Sequence, residues 1–380
     1  MRSEWKPYLK YYREFRLLDS LDFKIIRAMH EHDPFNVRRI AKIIGARQQT
    51  VNYRVLKYDR QGLVLFRAVI DEAKLGLESH TVLAEVPLGG EETALKALTC
   101  YPVWRYAAQV NGYVHGLYVR YAIPRNTARD LEIFLEKLVE RDIISQYSIY
   151  PTSSPYIPLL NLDFYTGGAR RFDWNVWVDQ LLETRVGELR LEPEKVEPVE
   201  FDIYDLFILR CLERNARVKF TKISREMVKL FGGSLNKYRV LISRRMKERI
   251  PSIIRGYEVY ISPVPPELAL FLILLIEFTG EEPLAKYVTG LSKIPFYSAV
   301  YKAIGENKIF HHIVLPAYEY SGFINALETL AKKGALKSLK ILISDLQGKK
   351  TWRNTALYQA YDKDWKFSYG ILINALEKLL

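Results

Sequence analysis

Two stretches of the chain gather side chains that can hold and read a polyanion. The first carries Arg47, Gln48, Gln49, Asn52, Tyr53, Arg54 and Lys57, and the second Ser234, Asn236, Lys237, Tyr238, Arg239, Arg244 and Arg245. An Asn or Gln amide presents a donor beside an acceptor, which matches an adenine edge. A guanidinium presents parallel donors, which match guanine or a phosphate. Both stretches contain Tyr-Arg-Val-Leu, at 53–56 and at 238–241, 185 residues apart. The reading is of a helix used twice, with Tyr and Arg outward and Val and Leu against the domain. Arg54 and Arg239 are expected to serve a phosphate or an intradomain salt bridge in preference to a base edge. The two stretches differ elsewhere, so unlike half-sites are expected.

Charge supports this chemistry by its location. The chain of 380 residues has a formal charge of +12 and a pI near 9.3. Residues 36–62 hold seven cations and one anion, a net of +6, and residues 214–249 hold twelve and two, a net of +10. The remainder is therefore at −4. A basic excess confined to two segments is what phosphate contact needs, because each neutralised phosphate releases counterions. Double-stranded DNA is the expected partner.

Catalytic signatures are absent: there is no phosphate loop of Gly-x-x-x-x-Gly-Lys-Ser/Thr type, no His-Glu-x-x-His and no Gly-x-Ser-x-Gly. His30 and His32 are two apart at a helix end, poorly placed to share a metal. His311 and His312 are successive on a strand and face opposite ways. Cys100 and Cys211 build no zinc spacing, and two cysteines suit a reducing, intracellular setting. The expectation is of no catalytic residue, metal or cofactor, and of a chain that is not an enzyme. "MRSEWKPYLKYYREF" has no apolar core of a signal peptide. The longest apolar run, "LALFLILLI" at 268–276, is too short to span a bilayer and reads as a buried strand. A cytoplasmic, nucleoid-associated protein is expected.

The elements that position these residues also recur. "LDSLDFKIIRAMHEHD" from Leu18 matches "FDIYDLFILRCLERNA" from Phe201, with Asp19 and Asp22 against Asp202 and Asp205. Apolar residues at 25, 26 and 29 and at 208, 209 and 212 mark one buried helix face. "NVRRIAKIIG" and "FTKISREMVKLFG" read as short helices ending in Gly. A third helix follows in each, with Val51, Val55 and Leu56, and Leu235, Val240 and Leu241, expected inward. The strands "LVLFRAVI" (63–70) and "SIIRGYEVYI" (252–261) come next. Three helices and strands describe a winged helix-turn-helix. Strands and helices over 80–150 and 268–343 then run β-α-β-β-α-β, the ferredoxin-like order, with Asn111-Gly112 read as a hairpin turn. The fold class is α+β: two copies of a winged helix-turn-helix followed by a βαββαβ domain. "EPEKVEPVE" (192–200) reads as a linker, and Asp173-Trp174 and Asp364-Trp365 as Trp burial on a neighbouring sheet or a shared docking element.

"LDSLDFKIIRAM", "IAKIIGARQQTVNYRVLKYDRQGLV", with Gly45 at the turn and Gly62 before the wing, and "AVIDEAKLGL" resemble the Lrp/AsnC family of prokaryotic transcription regulators. The second copy has an insertion around "REMVKLFGGS" and lacks the Lys-Leu-Gly hinge. The resemblance implies winged helix-turn-helix segments at 18–66 and 201–262 and ferredoxin-like, RAM-type domains at 67–152 and 263–345. An extension and linker occupy 153–200, and a C-terminal extension 346–380. It further implies a sequence-specific double-stranded DNA-binding regulator acting as a covalent pseudo-dimer, with further homodimerisation open. A small-molecule effector between the ferredoxin-like domains is also implied, although "VNGYVHG" and "IGENKI" lack the family's acidic loop. High Lys, Arg and Glu with few Cys gives an archaeal-like, thermophile-type composition. Two alternatives stand beside this reading. The domain pair also resembles siroheme decarboxylases, in which case Arg105, His115, His311 and His312 would bind a tetrapyrrole. The other is a non-specific architectural DNA-binding protein.

Overall fold

The computed structural model describes residues 18–32, 34–61, 64–167, 171–186, 191, 196–261, 268–344 and 350–379. The N-terminal stretch, Gly62, linker residues 192–195 and the Pro265-Pro266 pair lie outside them.

The described chain is mixed α+β. It opens with α1 (Ser20–Glu31), α2 (Val37–Ile44) and α3 (Gln48–Gln61), then β1 (Val64–Ile70). The Asp pair read from the sequence starts α1: the Asp19 carboxylate accepts from Asp22 N at 3.0 Å, and the Asp22 carboxylate accepts from Asp19 N at 2.9 Å. Two donors that the helix leaves unpaired are thereby satisfied reciprocally. A 3-10 turn (Glu72–Leu75) precedes β2 (Leu77–Glu85), α4 (Glu91–Leu98), β3 (Trp104–Gly112), β4 (Gly116–Pro124), α5 (Ala128–Glu140) and β5 (Gln146–Thr152). Another 3-10 turn (Leu162–Gly167) and α6 (Trp174–Glu183) follow.

The pattern then recurs as α7 (Ile203–Arg214), α8 (Phe220–Phe231), α9 (Leu235–Glu248), a helical turn (Ile250–Ile253) and β6 (Ile254–Ile261). Asp202 and Asp205 form the same reciprocal cap at the start of α7. Next come β7 (Ala269–Phe278), α10 (Glu281–Gly290), β8 (Tyr297–Lys302), β9 (Lys308–Pro316), α11 (Tyr320–Lys332) and β10 (Leu336–Ser344). The chain closes with β11 (Thr351–Arg353) and α12 (Tyr369–Glu377).

Two compact units divide these elements, and neither is one half of the chain. The first draws on Met1–Phe66, Pro155–Glu192 and Glu258–Lys350, and the second on Arg67–Ser154, Pro193–Tyr257 and Thr351–Leu380. The first unit thus combines α1–α3 with β7–β10, and the second combines α7–α9 with β2–β5. Within the first unit the antiparallel strands run β10-β7-β9-β8, with Ile273 opposite His312. Within the second they run β5-β2-β4-β3, and β11 adds to β3 with Trp352 opposite Ala107. Both sheets therefore place their strands in the order fourth, first, third, second.

Each unit buries one sheet face under helices. In the first, Leu272, Leu274 and Ile276 pack with Tyr287, Val288, Phe323 and Leu327, and the α6 residues Trp174 and Trp177 join them. Trp174 Nε1 donates to Glu319 Oε2 at 2.8 Å, and Trp177 Nε1 donates to Gly290 O at 3.0 Å. Trp365, in the second unit, donates to Leu75 O at 2.8 Å and lies in a two-residue strand, not at a helix start. The two Asp-Trp pairs therefore occupy unlike local structures, each with its indole engaged inside its own unit.

The hairpin turn falls where Asn111-Gly112 placed it: the last β3–β4 pair is Val110 with Gly116, and residues 111–115 make the reversal. His115 lies in it, with Nδ1 2.8 Å from Asn111 Oδ1 and Nε2 2.7 Å from Glu91 Oε1. Just beyond, Gly116 tolerates no side chain, because a Cβ there would sit 2.0 Å from Ala84 O. Among the described residues, no helix is long and apolar enough to cross a membrane.

Candidate functional site

The third helices carry most of the residues singled out for polyanion contact, and their burial sets the register. In α3 the inward positions are Val51, Val55 and Tyr58, and in α9 they are Tyr238, Ile242 and Arg245. Each pair is 187 residues apart, whereas the shared tetrapeptide is 185 apart. The two Tyr-Arg-Val-Leu stretches are therefore out of register by two positions in the fold. Tyr53 is 70% exposed, while Tyr238 is 1% exposed and occupies the place of Val51. The expectation that Tyr238 reaches outward is corrected accordingly. So is the expectation that Leu56, Leu235 and Val240 point inward: all three are exposed, Val240 at 64%.

Two of the arginines are also internal. Arg54 Nη1 lies 2.8 Å from Asp19 Oδ2 and 2.7 Å from Asp22 Oδ2, and Tyr58 donates to the other Asp22 oxygen. Arg54 takes the intradomain salt bridge. Arg245 pairs with Asp202 and lies 3.4 Å from Asp205 Oδ1, while Arg249 is 3.5 Å from Asp205 Oδ2. The physical reason is the same in both: Asp22 and Asp205 are buried carboxylates, and a buried charge demands a counter-ion. Burial pushes the Asp205 carboxyl up, Asp202 adds to that, and Arg245 opposes it. Arg245 is thus corrected from a duplex contact to a helix clamp. The exposed members are Arg47, Gln48, Gln49, Asn52, Tyr53, Ser234, Asn236, Lys237, Arg239 and Arg244, with Lys57 half-buried.

A second concentration of charge, missed in the sequence, lies inside the second unit. Arg105 sits where the β3–β4 register shifts, and its Nε donates to Glu72 Oε1 at 2.9 Å. Its Nη2 donates to Glu213 on α7, and its Nη1 to Asn354 O at 3.1 Å. Arg120 donates to Glu72 Oε2 at 3.0 Å, and Ser79 donates to the same oxygen. All five side chains are buried. Burial alone would raise the Glu72 carboxyl, but Arg120 and Arg105 outweigh it and hold it below the usual range. At Glu213 burial wins over Arg105, and the carboxyl is raised. Partners 33, 48 and 108 residues apart in sequence leave no local signal for this node.

The histidines of the first unit divide between the two faces of its sheet. His311 is buried on the face of α10 and α11, with Nδ1 2.8 Å from Tyr287 Oη and Nε2 3.2 Å from Ser298 Oγ. Burial pushes it down to about 3, so it stays neutral. His312 lies on the opposite face, its ring 4.9 Å from Tyr301 and 5.6 Å from Phe271. Phe310, Ile273 and Val314 share that face with it. An imidazole between aromatic rings on an apolar sheet suits a planar ligand, and its nitrogen could bind a metal centre in that ligand. Of the four residues named for a tetrapyrrole, Arg105 is consumed by two carboxylates, His115 sits in the β3–β4 loop, and His311 belongs to the core. His312 alone has this setting. Among the described residues, no three His, Cys, Asp or Glu side chains gather as a metal site.

No family model matches the chain, and no curated protein does. Solved structures do. The siroheme decarboxylase NirDL is similar with a TM-score of 0.52 at 15% identity, over 93% of this chain and 98% of its own. The same enzyme in complex with an iron-uroporphyrin III analogue gives 0.45 at 14%, over 84% and 90%. An AsnC family transcriptional regulator from Agrobacterium tumefaciens gives 0.30 at 19%, over 35% of this chain and 88% of its own. The likeness is one of fold: nearly the whole chain has the architecture of NirDL, which is an enzyme. The expectation of a non-enzyme is corrected by that match. It rested on the absence of short catalytic motifs, and an enzyme with this architecture shows that such motifs are no guide here.

Proposed function

We propose that the chain is a tetrapyrrole enzyme of the siroheme decarboxylase kind, acting on an iron tetrapyrrole that bears carboxylate side chains. The architecture is read as winged helix-turn-helix segments at 18–66 and 201–262 and ferredoxin-like domains at 67–152 and 263–345. The observation that carries the function is the placement of His312 beside Phe271 and Tyr301 in a chain similar in fold to NirDL over 93% of its length. His312 is assigned as a ligand to the substrate iron, and the aromatic rings as its stacking surface. Decarboxylation replaces a carboxylate by a proton at carbon, so apolar surroundings and a protic group are both needed. The Tyr301 hydroxyl, on the ring beside His312, is assigned as the proton donor. Titration with iron uroporphyrin III, followed by visible absorption, tests the binding. A shifted Soret band that His312→Ala abolishes is expected. Incubation with siroheme should release carbon dioxide, and an unchanged spectrum with intact siroheme would sink the proposal.

A second reading, contact with double-stranded DNA, uses different residues. It is favoured by the confinement of the basic excess to 36–62 and 214–249. Fluorescence anisotropy of duplex DNA across a salt series tests it: steep salt dependence is expected, and absence of binding at low salt would remove this reading.

A further inference from the structure

The third helices of the two three-helix segments expose very different surfaces. The exposed described residues of α3 include one cation, Arg60, with Arg54 held by Asp19 and Asp22. Those of α9 include four, Lys237, Arg239, Arg244 and Lys247, against Glu248. Exposed cations precede both third helices, Arg38, Arg39, Lys42 and Arg47 before α3 and Lys222, Arg225 and Lys229 before α9, so the contrast lies in the third helices themselves. Composition and register together produce this contrast: α9 carries five cations to the three of α3, and the shift of two residues sets which of them face out. That shift buries Tyr238 and Arg245 and leaves Arg239, Val240 and Arg244 facing out.

We infer that duplex DNA is contacted by one segment only, the second, with α9 entering the major groove. This inference rests on the DNA reading above. The helix has 14 residues, so it is about 21 Å long, and with side chains its width matches a major groove of about 12 Å. Asn236, Val240, Ser243 and Lys247 lie on one stripe of it, at steps of three and four. Asn236 supplies base-edge donor and acceptor groups, and Val240, exposed at 64%, supplies apolar contact for a thymine methyl. Lys237, Arg239 and Arg244 flank the stripe toward phosphates. A convex cationic helix fits B-form DNA and not the deep, narrow major groove of A-form RNA. Three exposed large apolar residues on α8 and α9, Leu230, Leu235 and Val240, are too few for a face that sinks into lipid.

The test uses the full chain with a labelled duplex of random sequence, single-stranded RNA, double-stranded RNA and anionic vesicles. Lys237→Ala/Arg239→Ala/Arg244→Ala is expected to lower duplex affinity more than tenfold and flatten the salt dependence by about three counterions. Arg38→Ala/Arg39→Ala/Arg47→Ala is expected to change it less than twofold. All six are exposed, and circular dichroism checks folding. Equal losses from both variants would leave the DNA reading standing and overturn the single-headed contact. RNA or vesicles bound as tightly as the duplex would also overturn it. A wild-type chain that binds no duplex at low salt removes the DNA reading itself.

Discussion

Asp22 and Asp205 each join two tasks. Their carboxylates complete the helix caps, and they then anchor the third helix through Arg54 and Tyr58 or through Arg245 and Arg249. Arg54→Ala is therefore expected to cost about 2–3 kcal/mol of stability, since it strips a buried carboxylate of its counter-ion at a partly exposed site. Urea unfolding measures this, and an unchanged midpoint with lost DNA affinity would return Arg54 to the duplex. The Arg105 node offers a sharper contrast. The Glu72 carboxyl is held below its ordinary 4.5, so its contribution is present above that pH and fades as pH falls through the lower folded value. The Glu213 carboxyl is raised, so its contribution is fully present below 4.5 and fades as pH rises through the folded value. Glu72→Gln should destabilise by about 3 kcal/mol at pH 7, with the loss shrinking toward pH 4. Glu213→Gln should cost less at pH 7. Reversed ranks would mean that the node is not held by Glu72.

Helix placement depends on close approaches that tolerate no added atoms. On α11, a Cβ at Gly322 would lie 2.5 Å from Trp174 Cδ1, and the indole is fixed from below by Glu319. Gly322→Ala is expected to displace α6 and cost about 1–3 kcal/mol, read as a changed near-ultraviolet signal from Trp174 with far-ultraviolet helix content retained. A wild-type signal would show that α6 can slide. The element types themselves were legible. Apolar periodicity marked α1 and α7, and the unbroken apolar run marked β7, because these signals are local. The inward face of α9 was not legible. Its sequence offers Val240 and Leu241 beside Tyr238 and Ile242, and only packing against α7 and α8 selects Tyr238, Ile242 and Arg245.

At the scale of the molecule, each unit takes its three-helix segment and its βαββαβ sheet from opposite halves of the chain. The extension after each sheet also travels: α6 follows β5 but packs with α10 and α11, and α12 follows β10 but packs with α5. Residues 1–200 expressed alone would leave Trp174 and Trp177 without their core. Self-association or aggregation is expected, with rescue as a one-to-one complex on co-expression with residues 201–380. A stable monomer of residues 1–200 by light scattering would refute the exchange of segments.

The sequence by itself determined the kinds and order of the elements from α1 to β5 and from α7 to β10, the recurring Asp pairs and the place of the positive charge, because periodicity and charge act over a few residues; it did not show α6, β11 or α12 in the extensions. Tertiary structure decided which unit each element joined, which side of α9 met solvent, and that Arg54, Arg105 and Arg245 would face carboxylates. Those outcomes depend on which groups lose water together, and the groups lie tens to hundreds of residues apart along the chain.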